Sequence, residues 1–118
     1  MSVWQEKLPQ NNTWLVGISG RLDQSLTPKL EEALNELLDN GHVTLVVDLT
    51  HATYINSGGL RCLVSAWRRA KAGDGALTLC GLNSRLQEIF AMVGFDKVFT
   101  ILDDCAATRG QARQGVHS

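Results

Sequence analysis

Three stretches of this chain repeat their apolar residues at helical spacing, and each follows a short apolar run that reads as a strand. Leu30, Ala33, Leu34, Leu37 and Leu38 make the first stripe. Leu60, Leu63, Val64 and Trp67 make the second, and Leu86, Ile89, Phe90 and Val93 the third. Such stripes give a helix one apolar face to bury. A helix between two strands returns the chain to the same end of the sheet, so the alternation predicts right-handed crossovers and a largely parallel sheet.

The strands expected between the stripes are Thr13 to Leu22, Thr44 to Leu49, Ala76 to Leu82 and a short Lys97 to Leu102. Val3 to Leu8 adds an antiparallel start, turned back through Pro9, Asn11 and Asn12. In the second strand Val16, Ile18 and Leu22 share a face. Thr44 to Leu49 is nearly all apolar, as a strand covered on both faces or lying centrally requires. The order is therefore β-β-α-β-α-β-α-β, an α/β domain with a mixed sheet of four to five strands and three to four helices.

Helix ends carry their own signals. Thr27 suits an N-cap, Pro28 the first helical position and Gly41 the left-handed residue beyond the end. The second helix is expected to run to about Ala72, with Arg68, Arg69 and Lys71 near the negative end of its dipole and Gly73 and Gly75 stopping it. Asn83 caps the third helix and Gly94 closes it. A chain of 118 residues is the size of one domain, read as 1–118 with a core over about 3–104. The stretch 105–118 reads as a short helix or a mobile tail.

Composition excludes several classes of function. Eleven basic and twelve acidic side chains leave a formal charge of −1, so neither nucleic acid nor an anionic membrane surface is an expected partner. No apolar run reaches the roughly 18 residues of a membrane span, and residues 1–10 hold no signal-like apolar core. The cytoplasm is the expected compartment. Cys62, Cys80 and Cys105 match no zinc spacing and read as buried free thiols. Asp23, Asp48, Asp103 and Asp104 stand singly at strand or helix ends, as caps and turns do, so no metal or other cofactor is expected.

Chemistry concentrates where the chain enters the second helix, at Tyr54-Ile55-Asn56-Ser57-Gly58-Gly59-Leu60. With Asn56 as N-cap, Ser57 is the first helical residue, beside unpaired backbone N–H groups. Two glycines in a first turn each cost roughly 0.5–1 kcal/mol against alanine, so something is expected to approach the backbone there. Ser57 with His51 as base makes a poor hydrolase, because the GxSxG elbow and an acidic orienter are missing. Gly17, Gly20, Gly58 and Gly59 match neither common phosphate-binding loop. An enzyme is not expected.

Ile55-Asn56-Ser57-Gly58-Gly59-Leu60 resembles the signature of the STAS-domain anti-sigma factor antagonists, apolar-Asp-Ser-(Ser/Ala/Gly)-Gly-aliphatic. The likeness continues in Gly20-Arg21-Leu22-Asp23 and in the run from Leu86 to Phe95, covering roughly residues 5–104 in order. It implies a partner switch: the unphosphorylated protein binds an anti-sigma factor that is also a serine kinase, phosphorylation releases it, and a serine phosphatase restores it. The resemblance implies Ser57 as phosphoacceptor, with Asp23, Asn56, Ser57, Gly58, Gly59 and Leu60 at the partner surface. One residue departs from the signature. Asn56 stands where the family has aspartate, an equal cap but without its charge, which leaves open a constitutive STAS binder or a subunit of a stress-sensing or lipid-transport assembly.

Overall fold

The computed structural model describes residues 1–10 and 12–106. Five strands and three α-helices follow in the expected order: β1 (Ser2–Lys7), β2 (Thr13–Leu22), α1 (Thr27–Asp39), β3 (Thr44–Ile55), α2 (Ser57–Ala72), β4 (Ala76–Cys80), α3 (Ser84–Met92) and β5 (Thr100–Leu102). A single 3₁₀ turn, Phe95–Lys97, precedes β5. Asn11 and the stretch 107–118, with the tail expected there, lie outside the described residues. No described helix is long and apolar enough to cross a membrane.

The strands lie side by side in chain order, β1 antiparallel to β2 and all later pairs parallel. Because that order never reverses, right-handed crossovers all turn the same way and place the three helices on one face. Val16, Ile18, Leu45, Val47, Leu49 and Leu79 point to that face and build the main core with Leu30, Leu34, Leu63 and Phe90. Phe90, Phe95 and Phe99 meet edge to face, and Trp67 meets Phe99 the same way, fastening α3 to α2. Alternate residues Leu15, Val46 and Cys80 point to the opposite face, where Leu8, Leu102 and Cys105 cover them. Gly17 also faces that way, and the Trp4 indole lies where its side chain would be.

Several expectations need correction. β3 does not stop at Leu49 but runs to Ile55, taking in His51, Thr53 and Tyr54. Two register shifts against β2 put an extra β3 residue at each, which breaks the period of two that would have revealed the strand. Thr27 is not the cap of α1. Leu26 holds that position without a side-chain bond, and the Thr27 hydroxyl is buried without a hydrogen-bond partner. Asp23 does the work instead: its Oδ1 accepts from the Ser25 N–H and hydroxyl and, at 3.4 Å, from the Leu26 N–H, while its carbonyl accepts from the Thr27 N–H. Val93 caps the C-terminus of α3 and is 47% exposed rather than part of the core stripe.

The cysteines differ most. Only Cys62 is free, buried in α2. Cys80 and Cys105 form a disulfide that ties the segment after β5 to the outer face of the sheet, so Cys105 belongs to the fold and not to a tail. Sequence spacing missed it because the two sulfurs meet only through the β4–β5 crossover.

Candidate functional site

The parallel β2–β3 pair brings the two singled-out loops to one edge of the sheet. Arg21 pairs with Tyr54 and Leu22 with Ile55, the last rung before both strands turn away. The Leu22 carbonyl then accepts the Asn56 N–H at 3.1 Å, so the Asp23 loop and the start of α2 are bonded neighbours. Arg21 lies over the Tyr54 ring at 4.2 Å from its centroid, with its Nε 3.9 Å from Asp23. The two hydrogen bonds from Ser25 hold the Asp23 carboxyl below the usual carboxylate range.

Asn56 is the N-cap of α2, in extended conformation, with its Oδ1 accepting the Gly59 N–H at 2.9 Å. Its carbonyl accepts the Leu60 N–H at 3.0 Å, the first bond of the helix. Ser57 is therefore the first residue of α2 and is exposed. Among the described residues its hydroxyl makes no hydrogen bond, and the cap is complete without it. A substituent on that oxygen meets solvent on one side and helix N–H groups on the other.

The two glycines divide the expected roles unequally. A Cβ on Gly59 would lie 2.7 Å from Ile55 Cγ1 and 3.4 Å from Leu22 Cβ. What approaches this backbone is the protein's own core. Gly58 is looser, with Asn56 Oδ1 at 3.3 Å and Arg61 Nη2 at 3.9 Å from the same hypothetical atom. Leu60 is buried beside them and lines a groove of about 490 Å³ with Ser57, Arg61, Val64, Ser65, Arg68, Val93 and Phe95.

That groove is the part of the site that sequence reasoning missed. Ser57, Arg61, Val64, Ser65 and Arg68 recur at i, i+4, i+7, i+8 and i+11, one stripe of α2 running beside the core stripe. Val64 belongs to both stripes, packing against the core and lining the groove. His51 is exposed on β3 and makes no hydrogen bond to Ser57. Burial pushes the Cys62 thiol up to about 12, with the Glu31 carboxylate adding to it, so this sulfur stays protonated and inert.

A family model described as "Mlab, STAS domain" matches residues 9–103. The chain belongs to the STAS domain family. The anti-sigma-B factor antagonist of Listeria monocytogenes is 31% identical to this STAS domain over 84 residues, 71% of this chain and 74% of that protein. Among solved structures, an anti-sigma factor antagonist from Mycobacterium paratuberculosis superposes with a TM-score of 0.77 at 20% identity, covering 99% of this chain and 96% of that one. The antagonist SpoIIAA superposes in its unphosphorylated form at 0.72 and 16% identity, with 99% of both chains covered. Its phosphorylated form, from Bacillus, gives 0.71 and 15%, over 91% of this chain and 96% of that one. The superpositions establish the STAS fold for this chain.

Proposed function

We propose that this STAS domain is an anti-sigma factor antagonist that binds an anti-sigma factor with serine kinase activity and is released when that kinase phosphorylates Ser57. A serine phosphatase resets it. The domain is a substrate of both enzymes and catalyses nothing itself. One observation carries the reading: Ser57 is exposed at the first position of α2 while Asn56 alone caps the helix, so the hydroxyl is free for modification without cost to the fold. The relatives named as antagonists support the same role. The partner surface comprises Asp23, Asn56, Ser57, Gly58, Gly59 and Leu60 and continues along the groove of α2.

A phosphate at Ser57 adds up to two negative charges at this edge, which a kinase surface shaped for a neutral hydroxyl must desolvate. Incubating the protein with ATP and the anti-sigma kinases of its own cell, followed by mass spectrometry, tests the acceptor: phosphate is expected on Ser57 and absent in Ser57→Ala. Ser57→Asp is expected to weaken kinase binding roughly tenfold or more. Unchanged binding in that variant would place the interface elsewhere.

A second reading rests on Asn56. Its amide oxygen is committed to the cap and it brings no negative charge to a basic kinase group, which favours a STAS binder that holds its partner without switching. In that case Ser57 stays unmodified while binding persists.

A further inference from the structure

The face of the sheet opposite the helices carries a second cluster of reactive groups. A carboxylate oxygen of Asp48 and the sulfurs of Cys80 and Cys105 all lie within 4.8 Å of one another. Asp48 is 8% exposed, Cys80 0% and Cys105 5%. Asp48 and Cys80 are direct partners in the β3–β4 register, so two of the three donors are fixed by the sheet. Cys105 lies beyond β5, after the exposed Asp103 and Asp104, on the segment that the disulfide ties to the sheet.

Asp48 accepts the Thr50 N–H at 2.9 Å, but among the described residues no cationic side chain pairs with it. Buried carboxylates are otherwise found paired or bound to metal ions. We propose that Asp48, Cys80 and Cys105 form a redox-gated site for a thiophilic divalent cation of the zinc class.

In the disulfide the sulfurs are bonded to each other and the site is closed. A cellular dithiol opens it by exchange: two electrons and two protons pass to the S–S bond, leaving two cysteine thiols, while the dithiol becomes a disulfide. Binding of the cation then releases the two thiol protons to solvent and forms two metal–thiolate bonds and one metal–carboxylate bond. Three protein donors leave a fourth tetrahedral position for water. Thr50 touches two of the donors, its N–H on Asp48 and its hydroxyl 3.6 Å from Cys105 Sγ, and orients them from outside the site. In either state the segment after β5 is fastened to the sheet, by the disulfide or by the metal.

The test is a cobalt(II) titration of the full chain, reduced with a phosphine and freed of metal. One cobalt per chain is expected, with thiolate-to-cobalt charge-transfer absorption that zinc abolishes by displacement. The oxidised protein is expected to show none. Cys105→Ser, which alters no strand, is expected to weaken binding at least tenfold and reduce the absorption, whereas Cys62→Ala leaves both unchanged. Asp48→Asn preserves the acceptor for Thr50 and is expected to keep the absorption while binding roughly tenfold more weakly. Amide spectra of each variant confirm folding. No thiolate absorption in the reduced parent, or equal titrations for the parent and Cys105→Ser, would overturn the site; equal affinity in Asp48→Asn would remove the carboxylate from it.

Discussion

At Gly59 a single hydrogen atom decides whether α2 can start where it does. Its missing Cβ is the space that Ile55 and Leu22 occupy, so Gly59→Ala must push the helix from the sheet edge. Overpacking of this kind costs about 1–3 kcal/mol, and chemical denaturation is expected to find a loss in that range. Gly58→Ala has only the cap oxygen to displace and gains helix propensity, so its stability is expected to stay within about 1 kcal/mol of the parent. The glycine pair was visible in the sequence, but which glycine is required was not, because that depends on a strand whose end was hidden by bulges.

Asp23 shows the same limit. Its place near the site was legible from the resemblance, yet its role as the organiser of the turn into α1 depends on bonds to Ser25 and Leu26 that follow from the turn's shape. Its folded pKa lies below that of the unfolded chain. The stabilisation it supplies is therefore present above the unfolded carboxylate value, about 3.9, and is lost as pH falls through the folded one. Ser25→Ala is expected to raise the Asp23 pKa toward the ordinary value in a ¹³C NMR titration and to flatten this part of the acid limb. An unchanged titration would mean that the Ser25 hydroxyl bond does not hold the carboxyl in solution.

At the scale of elements, α2 separates the cap, Asn56, from the proposed phosphoacceptor, Ser57, on adjacent residues. Asn56→Ala removes the bond to the Gly59 N–H and is expected to cost about 1 kcal/mol. Asn56→Asp restores an equal cap and is expected to stay within about 1 kcal/mol of the parent, as is Ser57→Ala. Thermal and denaturant unfolding of the three variants checks the division. The helices were readable because a period of 3.6 survives along their whole length. β3 was half legible, since two extra residues carry its second half out of phase with β2. α1 was placed correctly but capped wrongly, because a threonine before a proline looks like a cap whether or not its hydroxyl finds a partner.

For the molecule as a whole, the alternation of strands and stripes was enough to specify the element order and a mixed sheet, but the single layer of helices follows from a strand order that only the structure shows. Also left unspecified was the opposite face, where Cys80 and Cys105 meet across 25 residues of chain. Closing a loop of that length restricts the unfolded chain and contributes about 3 kcal/mol. The reduced, metal-free protein is expected to unfold at correspondingly lower denaturant, with little change in the helix-side core; equal midpoints with and without reductant would show that the bond contributes nothing. The proposed switch surface lies at the α2 edge, on the helix side of the sheet, so reduction is expected to leave Ser57 accessible to the proposed kinase. The proposed switch is tested most directly by the affinity of the anti-sigma kinase for this STAS domain before and after stoichiometric phosphorylation, measured by titration calorimetry with the phosphorylated position verified by mass spectrometry. Phosphate is expected on Ser57, with binding weakened at least roughly tenfold, about 1.4 kcal/mol; equal affinities of the two forms, or phosphate on another residue, would contradict the switch.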